Sequence, residues 1–376
     1  MANKKILLLG PAYPYRGGLA AFNESLAYAL QSAGHQVELV TYTLQYPNFL
    51  FPGKTQYSDD PPPADLEIER KINAVNPFNW IKVGLELRKR QADIIIAAFW
   101  MPFMGPSLGT ILRLAKASNT HRIGLIHNII PHEHRPGDRP LAKYFTASAD
   151  SFMTLSSSVA EELKDFSEAP VRTSPHPIYD IYGESVSKEA ARKRLALSQD
   201  GRYLLFFGYI REYKGLSLLL EAMADDRLTE QGVKLILAGE YYGNEEKYEA
   251  MIDELGIRER IISHTRFVSN EEVRYFFGAA DLVVQPYQTA TQSGISQLAY
   301  NFEKPMIVTR VGGLPEIVPH GKVGYVIDQK ADELADAVVD FYDQDREEHF
   351  QAGLRTEKSR FTWSGFVAVL EELFPV

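Results

Sequence analysis

Residues 203–223 read YLLFFGYIREYKGLSLLLEAM. An apolar run rich in Leu and Phe stops at Gly208, a short mixed stretch follows, and a second apolar run has helical spacing. Tyr203–Gly208 therefore predicts a strand, and Ser217–Met223 predicts a helix. A strand with no polar face must be covered on both sides, which is the condition of a parallel sheet with helices above and below it. The same alternation continues downstream. Val233–Gly239, Ile261–Phe267, Leu282–Pro286, Met306–Thr309 and Gly324–Ile327 read as strands. Glu245–Leu255, Asn270–Ala279, Ser296–Phe302 and Ala331–Gln344 read as helices, with Asn244 placed as the cap of the first of these. Upstream the pattern is similar. Lys5–Leu9, Val37–Thr41, Asp93–Ala98, Ile123–His127 and Ser151–Leu155 read as strands. Ala20–Ala33, Trp80–Gln91, Ser107–Ala117 and Ser158–Phe166 read as helices.

Two such runs in tandem make an α/β protein of two Rossmann-like, doubly wound domains. The break falls near Ser174–Tyr182, where Pro175 and Pro177 interrupt the pattern. This gives a first domain over residues 1–177 and a second over 178–358. Residues 359–376 remain, and Phe361–Leu373 within them is amphipathic, with Trp363, Phe366 and Leu370 on one face. Residues 44–65, ending in Pro61-Pro62-Pro63, read either as a loop over the site or as plain surface loop.

The chain's 376 residues suffice for two domains, and its net charge of -9 argues against general nucleic-acid binding. The charge is uneven. Residues 1–178 hold 18 Lys and Arg against 16 Asp and Glu, and the rest hold 22 against 33. A less acidic first half suits an anionic membrane surface or a phosphate-bearing acceptor, and it equally suits ordinary variation between domains. There is no cysteine, which excludes disulfides and thiolate chemistry and fits a reducing, cytoplasmic setting. Ile6–Leu9 is too short for a signal peptide, and no run reaches membrane-spanning length.

Four segments carry chemistry. In Gly10–Phe22, Gly17 and Gly18 stand where a helix begins, so backbone amides can approach an anion; the other reading is a tight loop without a ligand. In Gly208–Ser217, Arg211 and Lys214 follow a strand, where open α/β sheets bind ligands. Two cations there suit a diphosphate, unless they are solvated surface charges; both are expected to be exposed. In Gln292–Tyr300, Ser293 reads as a helix cap that leaves the amides of Gly294, Ile295 and Ser296 aimed at a phosphate, or as an ordinary cap. In Ile126–Pro136, His127 ends a strand. It can hydrogen-bond a sugar hydroxyl, join His132 and His134 on a metal, or serve structure alone. Trp100, Met101, Pro102 and Phe103 shape an acceptor pocket or fill the core.

Together these segments resemble the retaining glycosyltransferases of family 4, which have the two-domain GT-B fold. The resemblance is carried by Gly208–Gly215, Phe276–Pro286, Gln292–Pro305, the run Val311-Gly-Gly-Leu-Pro-Glu-Ile-Val and the ending Arg360-Phe-Thr-Trp. It implies two domains facing across a cleft and a C-terminal helix crossing back to the first. It implies a glycine loop, Gly17 and Gly18, against the donor diphosphate, and His127 at the transferred sugar. Lys214 and Arg211 would hold the diphosphate. Phe267 and Val268 would hold the base, and Gly294, Ile295 and Ser296 the distal phosphate. Gly239, Glu240, Gln292 and Ser293 complete the expected donor-binding set.

One departure stands out. The family's paired glutamates, eight positions apart, fall on Ala290 and Leu298, with Gln292 or Gln297 as partial substitutes. The expected activity is retaining transfer of a hexose-type sugar from a UDP- or GDP-sugar to a glycan or lipid-linked acceptor, with peripheral membrane contact through the first domain. No cofactor or metal is expected, because no Asp-x-Asp element stands at a strand end. The rival readings are a sugar-nucleotide epimerase of the same fold, which needs carboxylates that Ala290 and Leu298 do not supply, and a non-catalytic nucleotide-sugar-binding partner in glycan assembly.

Overall fold

The computed structural model describes residues 3–47, 55–58, 61–131, 136–178 and 182–375. The chain divides into two compact units, one of residues 1–177 with 361–376, the other of residues 178–360.

The first unit is built on seven parallel strands. They are β1 (Lys5–Leu9), β2 (Gln36–Leu44), β3 (Glu67–Asn73), β4 (Ile94–Phe99), β5 (His121–Ile126), β6 (Ser151–Thr154) and β7 (Val171–Thr173), in the order β3-β2-β1-β4-β5-β6-β7. The second unit has six: β8 (Arg202–Phe207), β9 (Val233–Ala238), β10 (Ile261–His264), β11 (Leu282–Gln285), β12 (Met306–Thr309) and β13 (Gly324–Ile327), in the order β10-β9-β8-β11-β12-β13. Every pairing is parallel. In each sheet the strand order reverses at one place, between β1 and β4 and between β8 and β11. The loops that leave those strands diverge to opposite faces and open a crevice at the carboxyl ends.

The central strands are apolar because helices cover both faces. All six residues of β4 are buried, as are all four of β11 and β12. Strand β3, Glu-Ile-Glu-Arg-Lys-Ile-Asn, lies at the sheet edge, where a solvated face allows charge. Its Glu69 and its neighbours Glu38 and Glu67 come together, and Glu38 and Glu69 are neutralised by Lys5, Lys71 and Arg90. The expected cap Asn244 stands at the start of its helix but accepts no helical amide. Its backbone is left-handed, with φ of 60°, which turns the side chain away toward Glu212.

The terminal helix, Trp363–Glu371, belongs to the first unit. Phe22, wholly buried in the Gly18–Ser32 helix, meets Trp363 at 5.2 Å and Phe366 at 5.7 Å between ring centroids. His35 Nε2 lies 2.8 Å from Glu371 Oε1. Trp100 and Pro102 are buried, and the Trp100 indole donates to the Tyr46 hydroxyl at 2.6 Å, so this stretch serves the core.

The second unit is tied at its far end by one carboxylate. Asp281, buried just before β11, accepts from Arg192 and Lys188 at 2.8 Å, from the Tyr203 amide at 2.8 Å and from the Tyr342 hydroxyl at 3.1 Å. Removing one side of a buried pair leaves the other charge unpaired. Asp281→Ala should therefore cost about 3–5 kcal/mol in chemical denaturation. A loss under about 1 kcal/mol, the range of an exposed pair, would contradict this account.

Candidate functional site

In the second unit, the loops after β8, β9 and β11 meet. The amide of Gly208 donates to Ala238 O at 2.9 Å and that of Ile210 to Glu240 O at 2.8 Å, which zips the first two loops together beyond the strands. The amide of Gln288 donates to Tyr213 O at 2.7 Å and links the third. Gly239 packs on the backbone of Gly208. Gly215, at φ +70°, presses so closely on the Pro286 carbonyl that any side chain would collide with it.

This framework holds Lys214. Sequence reasoning expected Arg211 and Lys214 both to be exposed, and the structure corrects this for Lys214, which is 8% exposed. Its helical turn, Glu212–Lys214, folds the chain back so that the side chain returns over the end of β8. A methyl group on Gly208 would lie 3.1 Å from Lys214 Nζ and 3.3 Å from Ile295 Cδ1, so the ammonium, the strand end and the start of the Gly294–Asn301 helix converge. Among the described residues, the ammonium has no carboxylate partner. The ring centroid of Tyr287 lies 5.8 Å from it. Burial, reinforced by the Arg211 charge, pulls its pKa down from 10.5 to about 8. Arg211 is half-buried and stacks on Tyr242 with its guanidinium carbon 3.8 Å from the ring centroid.

The helix start at Gly294 is narrower as a donor than the sequence suggests. Ser293 caps it as expected, accepting from the Ile295 amide at 3.2 Å. The Ser296 amide donates to the Ser293 carbonyl at 3.2 Å. Two of the three amides are thus engaged inside the turn. That of Gly294 has no partner among the described residues. Gln292 Oε1 beside it is buried without a partner. Ala290 and Leu298 are both buried. Gln297 is fully enclosed with neither end of its amide bonded to protein. Near β10, Val268 is buried and Phe267 is 40% exposed, while Arg266 donates to the Phe267 carbonyl at 3.0 Å and pairs with Glu272.

In the first unit, Gly17 precedes the Gly18–Ser32 helix and the loop before it is pinned from that helix. Asn23 donates to Pro11 O at 2.8 Å, and Glu24 accepts from the Tyr13 amide at 2.6 Å. Burial pushes the Glu24 carboxyl up to about 7. Neither residue was singled out from the sequence; the available signal was a polar pair on the first turns of a helix that follows a glycine loop. His127 directly follows β5, its amide donating to Phe99 O at 2.8 Å. Its ring is buried edge-on to Phe22 at 4.9 Å, and Nε2 has no partner. Burial, with the adjacent His176, drops its pKa to about 3, so it is neutral and acts only as a hydrogen-bonding group. His132 and His134, the other members of the candidate metal set, lie outside the described residues.

The family described as Glycosyltransferase Family 4 matches residues 16–179, and Glycosyl transferases group 1 matches residues 187–355. An uncharacterized glycosyltransferase of Methanocaldococcus jannaschii is 25% identical over 353 residues, covering 88% of this chain and 87% of its own. The structure of sucrose-phosphate synthase from Thermosynechococcus elongatus superimposes with a TM-score of 0.79 at 18% identity, covering 99% of this chain and 98% of that one. Anabaena HepE in complex with UDP gives 0.73 at 18% identity, covering 98% of each chain. At these identities the structural likenesses establish the GT-B fold.

A lysine with a depressed pKa opposes folding while it is protonated. The unfolded chain binds the extra proton between about pH 8 and 10.5, so this group's destabilisation is complete below pH 8 and fades as pH rises through that window. Lys214→Met should accordingly melt higher than the parent at pH 7. Parent affinity for a nucleoside diphosphate should fall as pH rises through the lysine's range, and the variant's weaker affinity should stay flat. Differential scanning fluorimetry and calorimetric titration across pH check both. A variant that melts lower and binds as the parent does would overturn the assignment.

Proposed function

This chain belongs to glycosyltransferase family 4 and is a glycosyltransferase that uses a nucleotide sugar, and on that premise we propose that it moves a hexose-type sugar from a UDP- or GDP-sugar to a glycan or lipid-linked acceptor, with retention at the anomeric carbon. The observation that carries the reading is the buried, uncompensated ammonium of Lys214 at the strand-order switch of the second sheet. A cation kept out of water without a counter-ion favours an anion delivered by a ligand. A nucleoside diphosphate fits, because its charge grows as the bond to the sugar breaks. Stabilising that growth lowers the barrier more than it strengthens ground-state binding.

Arg211 is the second cation on the leaving group, and the Gly294 amide is the backbone donor. Gln292 Oε1 offers a hydrogen-bond acceptor near the places where the family has glutamates. In the first unit, the Gly17–Gly18 loop is the part suited to a phosphate, and His127 Nε2 the part suited to a sugar hydroxyl. The departing phosphate oxygen takes the proton of the acceptor hydroxyl, so no side chain acts as nucleophile.

In a thermal-shift panel of UDP, GDP and ADP, one nucleotide should raise the melting temperature well above the others, by selective binding to the folded state. Arg211→Ala and Lys214→Ala should each lower turnover about 100-fold or more, read as nucleoside diphosphate released from the stabilising donor. Full turnover in both variants, or no shift with any nucleotide, would defeat the proposal.

A further inference from the structure

The Pro77–Lys89 helix of the first unit is only half covered. Val83, Gly84 and Leu87 face inward, and Gly84 lets the neighbouring Gly105–Ala115 helix approach so closely that a side chain there would strike Leu114. The opposite face carries large apolar groups in water. Phe78 is 84% exposed, Ile81 and Leu85 are each 45% exposed, and Val75, just before the helix, is 44% exposed. At the helical repeat of about 100° per residue, Phe78, Lys82, Leu85 and Lys89 fall on one line, with Ile81 and Arg88 beside it. Lys82, Arg88 and Lys89 are exposed and enter no ion pair among the described residues. The helix's one acid, Glu86, is held by Lys71 at 2.5 Å. Among the described residues no helix is long and apolar enough to cross a membrane.

We infer that this face docks the protein on an anionic lipid surface. An apolar line alternating with free cations suits that partner in particular. Phe78, Ile81 and Leu85 enter the headgroup boundary, while Lys82 and Lys89 lay their aliphatic stems along it and keep their ammonium groups at the anionic headgroups. A second copy of this chain would bring the same three cations against themselves, which disfavours a symmetric dimer through this face. The inference is independent of the donor chemistry, because docking needs neither nucleotide nor turnover.

The test is co-sedimentation of the purified full chain with vesicles of phosphatidylcholine alone and of phosphatidylcholine mixed with phosphatidylglycerol. Binding should require the anionic lipid and weaken as salt rises. Lys82→Glu with Lys89→Glu should abolish binding, and Phe78→Ser with Leu85→Ser should lower the partition coefficient about tenfold. Both doubles should keep the parent melting temperature and the parent nucleotide-induced shift. If either fails to fold, Phe78→Gln alone replaces it and should still weaken binding. Equal binding to both vesicle types, or variants that bind as the parent does, would overturn the inference. So would a concentration-dependent dimer that the variants dissolve, since the face would then belong to a second copy.

Discussion

An ammonium withdrawn from water without a carboxylate beside it shapes the second unit. Lys214 sits under a turn whose geometry is forced by the contact of Gly215 with Pro286, and it points at Gly208 and the side chain of Ile295. Two of these neighbours are fixed by the parallel sheet: Gly208 follows β8, Pro286 follows β11, and these two strands are adjacent because the strand order reverses between them. Placing the same lysine at a solvated loop tip would cost nothing and would hold nothing. The sheet instead keeps it in a setting that destabilises the free protein and is relieved by an anion, so binding strength is traded against fold stability.

The first unit shows the converse arrangement. Several polar groups near the glycine loop are engaged within the protein: Asn23 with Pro11, Glu24 with Tyr13, and Thr41 with Ala12. These contacts shape a loop and add no charge to it. His127 is a buried ring whose Nε2, like Asn23 Oδ1 and Ser25 Oγ, has no partner among the described residues, and its loss of basicity turns it from a proton carrier into a directional contact.

The sheet framework was legible in the sequence because most of its strands are short apolar runs, several of them, such as β1, β8, β9 and β11, followed directly by glycine or proline. Where β3 carries four charged residues, Glu67, Glu69, Arg70 and Lys71, the signal was lost, since an edge strand need not be apolar. Strand ends could be read to within three residues, the largest misses being the carboxyl ends of β2 and β10. His127 stands one residue past β5, where a side chain leaves the sheet plane at the loop. The burial of Lys214 was not legible. It depends on a turn that folds back on Gly208 and on contacts with Pro286 and Ile295, which are distant in the chain, and a lysine after a strand is usually solvated. The engagement of the Ile295 and Ser296 amides was likewise hidden, because one cap serine can either leave amides free or consume them.

Residues 361–376 complete a sheet domain that begins at the other end of the chain. During synthesis the helix bearing Phe22 and the ring of His35 emerge long before the groups that cover them, Trp363, Phe366 and Glu371. The intervening unit is contiguous and can condense first. The first unit must therefore wait with the Phe22 ring uncovered until the whole second unit and the Trp363–Glu371 helix have been made, which makes the nascent chain the form most exposed to aggregation.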